Sequence, residues 1–199
     1  MPAKKEKDKQ LPPGQFQIKK HLRWGVDHPT IPKAAVPKIN LDTYMLTIEG
    51  EVEKPQSLSW EDIQKLPTTE AVSNFHCVEG WSVLDNKWQG TPFKHIIAIA
   101  KPKKTAKYAT FECADGYTTS LSLEELSKDN VLLATKLNGN NLEESMGFPI
   151  RLIVPDKYAY KSAMWIKKIK FTEKKELGYW EKRGYSDTAD IWKNDRFSA

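Results

Sequence analysis

Alternation of apolar and polar positions dominates this chain, and only short stretches carry helical spacing. Tyr44-Met45-Leu46-Thr47-Ile48-Glu49-Gly50 alternates and stops at a glycine, which predicts a strand. Glu70 to Cys77, Tyr108 to Cys113, Tyr117 to Leu121, Val131 to Leu137, Ile150 to Val154 and Ile166 to Thr172 read the same way. Asp115-Gly116 turns the second of these back into the third as a hairpin, and Asn138-Gly139-Asn140 marks a polar turn. Three helices fit between. Ser59 caps Trp60 to Lys65, with Glu61 and Asp62 in the first turn and Leu66-Pro67 closing it. Pro92 to Ala100 has helical spacing with Pro92 as a first-turn residue. Ser122 and Glu125 form a capping box for Leu123 to Lys128. Many short strands and short helices without regular β-α alternation predict an α+β fold.

The edges of the chain read differently. Residues 1–10 form a basic, flexible tail, and the ordered domain is expected to run from 11 to 199. Pro29, Pro32 and Pro37 keep the chain extended up to Ile39. The aromatic, charged segment after Glu173 is expected to wrap over the surface. At 199 residues, 39% of them hydrophobic and 29% charged, the chain suits one soluble domain whose core needs no staple. No stretch approaches the ~18 apolar residues of a membrane span. The N-terminus has neither an apolar signal core nor a twin arginine, which points to a cytoplasmic protein. The net charge of +5 is spread over separate lysine clusters, with no single basic stripe. A nucleic-acid partner is therefore not expected.

Candidate chemistry centres on Cys77, which sits between a β-type run and the turn Gly80-Trp81. Thiolate is a soft donor for metals such as copper(I) and zinc. Only Cys77 and Cys113 are present, so one chain cannot build a four-thiolate site. A metal at Cys77 has to bring most of its own ligands, as an organic cofactor does. In a reducing compartment both thiols stay reduced. By position alone, Cys77 reads first as a small buried hydrophobe.

The run Cys77-Val78-Glu79-Gly80-Trp81-Ser82, with Trp88, Gly90 and Pro92, resembles the molybdopterin-binding domain of the sulfite oxidase family. The closer resemblance is to its bacterial branch, which includes a methionine-sulfoxide-reducing molybdoenzyme. Gly147-Phe148-Pro149-Ile150-Arg151-Leu152-Ile153-Val154-Pro155 extends the likeness through Lys157-Tyr158 to Lys161-Ser162. Gly178-Tyr179-Trp180-Glu181, Gly184-Tyr185 and Trp192 complete it. The resemblance implies a cofactor of molybdenum and molybdopterin, with the sulfur of Cys77 on the metal. It implies two-electron oxygen-atom transfer on a small oxo donor or acceptor, fed by an external one-electron redox partner.

Within that resemblance Glu79 is a candidate proton relay. His21 (with Lys19), His76, Arg151, Lys161, Ser162, Ala163 and Met164 are candidate cofactor contacts. Arg151 stands in an apolar strand, where a cation calls for a fixed anion such as the cofactor's phosphate. Trp81 and Trp88 read as packing around the cysteine loop. Two departures stand out: Met164 occupies a place where lysine is usual, and Cys113 one where the closer branch has threonine near the cofactor. The Val78-Glu79-Gly80-Trp81 sequence replaces the arginine-rich run of sulfite oxidases, so S-oxide or N-oxide reduction is expected over sulfite oxidation. A non-catalytic domain binding an anion or a protein, and a cysteine hydrolase using Cys77 with His21 or His76, are the alternatives.

Overall fold

A computed structural model describes residues 11–22 and 36–198. The expectations for the tail 1–10 and for Pro29 and Pro32 lie outside the described residues. The architecture is α+β, as the pattern predicts, and is built on two sheets. In the first, β1 (Phe16–Gln17), β5 (Trp81–Pro92), β8 (Leu132–Leu137) and β10 (Arg151–Ile153) lie in that order. β4 (Thr69–His76) also pairs with β5, and β9 (Asn140–Asn141) with β8. The second runs β3 (Gln56–Ser59), β2 (Met45–Gly50), β11 (Ile166–Thr172), β6 (Tyr108–Cys113) and β7 (Thr118–Ser122). Among the described residues, only the β1–β5 and β11–β2 pairs are parallel. α1 (Trp60–Gln64), α2 (Phe93–Ala100) and α3 (Leu123–Leu126) complete the fold.

The short helices owe their existence to local chemistry. Ser59 and Ser122 each accept a backbone hydrogen bond three residues on, from Asp62 and Glu125, and both capping boxes are closed reciprocally. Pro92 is not a first-turn residue, as expected, but the last residue of β5 and the cap of α2. The twelve-residue β5 is the main element that alternation fails to mark. Asp85 takes a left-handed φ of 55° inside the strand, where the β4 register slips between Ser73 and Phe75. Asn74 Oδ1 accepts the Asp85 N–H there at 3.1 Å, so this irregularity is held by a side chain.

Strand period then sorts residues between two cores. In β10 and its flanks, Ile150, Leu152 and Val154 join the large core with Leu46, Ile48, Phe93, Phe111 and Phe171. Ile153 points the other way, into the cluster of Phe75, Trp81, Trp88 and Met146. Arg151 shares that second face, its guanidinium 5.1 Å from the Phe75 ring centre and 5.4 Å from that of Trp88. Period two thus delivers a cation to the aromatic side of the first sheet.

Candidate active site

β4 ends at His76, and the chain reverses through Cys77, Val78, Glu79 and Gly80 before β5 starts at Trp81. The Cys77 N–H donates to the Trp81 carbonyl at 2.9 Å and the Gly80 N–H to the Cys77 carbonyl at 3.0 Å. Gly80 adopts φ 106°, open to glycine and strained for other residues. This tight hairpin presents Cys77 to a cavity of about 400 Å³. Phe75, Trp81 and Arg151 line it from the sheet, and Ser162, Ala163 and Met164 from the segment beside β10. Asp115 and Tyr117 of the β6–β7 turn, and Tyr160, Trp180 and Tyr185, form further parts of the wall.

The strip Ser162 to Met164 is held like an added strand. Leu152 N–H donates to the Ala163 carbonyl at 2.8 Å, Arg151 bridges to Met164, and Val154 N–H donates to Ser162 Oγ at 3.1 Å. Gly147, at φ 100°, leaves room for it: a Cβ there would meet Met164 Cβ at 3.0 Å and Arg151 Cβ at 3.1 Å.

Four side chains define the electrostatics. The Cys77 thiol lies 3.7 Å from Glu79 Oε2, which also accepts the Trp81 indole N–H at 3.1 Å. Burial pushes the thiol up to about 12, and the Glu79 carboxylate reinforces the shift. Arg151 donates to the Met146 carbonyl at 3.0 Å and, more loosely, to the Ser162 carbonyl at 3.4 Å. Its Nε has no partner, and no carboxylate among the described residues pairs with it. Burial lowers it to about 9. His21 packs edge-on against Phe75, its buried Nε2 is unpartnered, and desolvation plus the Arg151 charge lower it to about 4. Two carboxylates, Glu79 and Asp115, also line the space; burial raises Asp115.

The structure therefore brings together His21, Cys77, Glu79, Arg151, Ser162, Ala163 and Met164 around one cavity. It places four other candidates elsewhere. Lys161 is fully buried behind the wall, its three N–H donors taken by Glu181, by Asp187 at 3.3 Å and by the Ser120 carbonyl at 3.2 Å. His76 is buried with Nδ1 2.7 Å from Ser82 Oγ, so it does not serve Cys77 as a base. Cys113 is packed in the large core, where burial raises its thiol above the ordinary range. Lys19 is exposed and outside the lining. Asp115, Tyr117 and Tyr160 line the cavity without having been singled out, because a turn and a 3-10 segment bring them there through long-range packing. The tail does more than cover the surface, since Trp180 and Tyr185 form part of the wall.

Among the described residues no helix is long and apolar enough to cross a membrane. Residues 33–180 match the model of the oxidoreductase molybdopterin-binding domain. The chain is 38% identical over 159 residues to the uncharacterized oxidoreductase YuiH of Bacillus subtilis, covering 80% of each. It is 36% identical to the catalytic subunit MsrP of the Campylobacter jejuni protein-methionine-sulfoxide reductase, over 71% of this chain and 53% of that one. It thus spans about half the length of the reductase subunits that it matches. The sulfane dehydrogenase SoxCD of Paracoccus pantotrophus shares the fold, with a TM-score of 0.67 at 23% identity over 73% of this chain and 42% of that one. The chain belongs to the oxidoreductase molybdopterin-binding domain family, enzymes whose cofactor is molybdopterin.

Proposed function

We propose that this chain reduces a small S-oxide or N-oxide by oxygen-atom transfer, with Cys77 Sγ holding molybdenum and Arg151 the anionic part of the cofactor. The observation that carries this reading is the pairing, in one cavity, of a soft sulfur donor with a buried guanidinium that has no carboxylate. An arginine left unpaired in an apolar strand is costly unless an anion completes it. The orphaned Nε of Arg151 and Nε2 of His21 are suited to donate to such a group. When bound, the cofactor supplies the two-electron oxygen-atom chemistry.

The residues of the chain provide the surroundings. Reduction of an S-oxide consumes two electrons and two protons and releases water. Glu79, beside the Cys77 sulfur, can carry a proton to that place, and the Trp81 N–H fixes its carboxylate. Tyr117, Tyr160, Trp180 and Tyr185 make a largely apolar wall that excludes water and accepts an uncharged thioether or sulfoxide. Sulfite fits less well. Among the described lining residues Arg151 is the one permanently cationic side chain, and Glu79 and Asp115 repel an anion. The electrons come from an external one-electron partner. The naming of relatives as protein-methionine-sulfoxide reductase subunits supports the S-oxide choice.

The test is turnover of the molybdenum-loaded protein with methionine sulfoxide and a reduced dye, set against sulfite with an oxidised dye. Sulfoxide reduction at least tenfold faster than sulfite oxidation is expected. Sulfite oxidation as the faster reaction would refute the substrate assignment.

A further inference from the structure

The backbone of the cysteine loop is held from outside by two segments that lie beyond residues 33–180. From the N-terminal side, β1 pairs in parallel with the start of β5, and Phe16 N–H donates to the Gly80 carbonyl at 2.8 Å. Gln15 then spans two anchors: its Nε2 donates to the Cys77 carbonyl at 3.0 Å, and its Oε1 accepts from Ser82 Oγ at 2.8 Å. Because that hydroxyl proton goes to Gln15, Ser82 accepts from His76 Nδ1, and the chain His76–Ser82–Gln15–Cys77 has a single direction.

From the C-terminal side comes Arg196. Its Nη1 donates to the Val78 carbonyl and its Nη2 to the Gly14 carbonyl, each at 2.8 Å. The Arg196 guanidinium is itself oriented: Nε donates to Asn194 Oδ1 at 2.8 Å, and that oxygen also accepts from Tyr158 Oη at 3.2 Å. One planar fork thus ties the cysteine loop to the N-terminal strand, a task a lysine ammonium cannot reproduce in geometry.

Two glycines give a second, independent sign of the same clamp. A Cβ at Gly14, where φ is 70°, would lie 2.8 Å from Arg196 Nη2. A Cβ at Gly80 would meet the Gly14 carbonyl at 3.2 Å and Arg196 Nη1 at 3.8 Å. Gly14 is kept bare where the guanidinium passes, and Gly80 where the Gly14 carbonyl approaches.

We propose that Arg196, seated by Gly14 and seconded by Gln15, is a positioning residue that fixes the Cys77 loop against the cavity. A metal ligand is useful only when its own backbone is immobilised, and partners outside the ligand set do that work. Arg196 does not itself line the cavity and does not touch Cys77; it acts through the carbonyl of Val78, a lining residue.

The experiment uses the full chain in two states. In protein produced without molybdate, the rate of iodoacetamide labelling is followed at Cys77 and Cys113 by mass spectrometry. The core thiol Cys113, 1% exposed, reports general loosening. Arg196→Ala is expected to label Cys77 at least tenfold faster with Cys113 unchanged, with Arg196→Lys in between and Gly14→Ala reproducing the effect. In loaded protein, the same variants are expected to shift or broaden the Mo(V) resonance and to lower kcat for the sulfoxide more than they change KM.

Cys77 labelling within twofold of wild type in both Arg196→Ala and Gly14→Ala would overturn the proposal. So would a rise at Cys77 matched by Cys113. Should Arg196→Ala fail to fold, Arg196→Lys and Gly14→Ala carry the same comparison. The metal consequence rests on Cys77 as ligand, whereas the labelling arm does not. A Cys77→Ser protein that keeps its metal would sink the ligand reading and leave the brace standing.

Discussion

Replacing Arg151 by methionine should stabilise the cofactor-free protein while destroying its ability to keep the cofactor. Arg151 is 2% exposed, and burial lowers its pKa from 12.5 to about 9. At about 1.4 kcal/mol per unit, a shift of that size puts the cost of burying the charge near 4–5 kcal/mol. Opposing this are the hydrogen bonds to the Met146 and Ser162 carbonyls, the second a long 3.4 Å. Leaving those acceptors bare costs about 1–3 kcal/mol. The contacts with Phe75 and Trp88 add about 0.5–1 kcal/mol more.

Methionine fills much of the same apolar space without a charge, so the balance favours Arg151→Met by about 1–2 kcal/mol, or about 2–8 °C in Tm for a domain of this size. With cofactor present the sign reverses, because the wild type gains binding energy that the variant lacks. The assay is chemical and thermal unfolding of both proteins, each prepared with and without molybdate. A loss of 2 kcal/mol or more in cofactor-free Arg151→Met would mean that the guanidinium is already satisfied by the protein. The argument for an anion in the cavity would then fail.

Other consequences follow from the same packing. Lys161→Met should cost about 3–5 kcal/mol, since it strands the buried Glu181 carboxylate, and Glu181→Met less, since Lys161 keeps Asp187, whereas joint replacement of both by methionine should recover part of the loss; denaturant titration of the double-mutant cycle reads this, and independent, additive effects would contradict it. In cofactor-free protein, His21 is neutral when folded, with a pKa near 4, and titrates near 6.5 when unfolded. The unfolded chain therefore binds more protons between these values, and stability falls as pH drops from 6.5 to 4, by up to about 3 kcal/mol. His76, buried and lowered to about 4 as well, adds to the same slope, so His21→Gln should reduce it by about half, and an unchanged slope would show His21 to be solvated. Gly90→Ala should cost about 3 kcal/mol or more by forced overpacking, because its Cβ would fall 2.1 Å from the Leu133 carbonyl on the paired strand; a Tm within 2 °C of wild type would contradict the close approach.

Much of the fold was written locally. Ser59 with Asp62 and Ser122 with Glu125 mark their helices because a cap is satisfied within one turn, and β11 shows its alternation because one face meets the core. β5 hides because Asp85-Asn86 carries turn chemistry that the structure uses for a bulge inside the strand. At the site, Cys77, Glu79 and Arg151 were legible, the last because a lone cation in an apolar strand demands a partner. Lys161 illustrates the opposite case: its carboxylates come from Glu181 and Asp187, 20 and 26 residues further on, and no local pattern announces them. Gln15 and Arg196 were equally silent, since their partners are the carbonyls of the cysteine loop, 62 and 118 residues away in sequence. Backbone acceptors leave no trace in side-chain chemistry.

The central claim, that Cys77 holds molybdenum in this cavity, is tested most directly by metal and pterin content. Wild type and Cys77→Ser are produced in a cofactor-competent host with molybdate, and molybdenum and released pterin are measured per chain beside the Mo(V) resonance. The account predicts about one molybdenum and one pterin per wild-type chain, because Cys77 is the thiol that lines the cavity and Cys113 is packed in the core. Cys77→Ser should fold, since its hairpin is held by backbone bonds, yet lose the Mo(V) signal. Wild-type protein without metal or pterin, or a Cys77→Ser protein with an unaltered Mo(V) resonance, would contradict it.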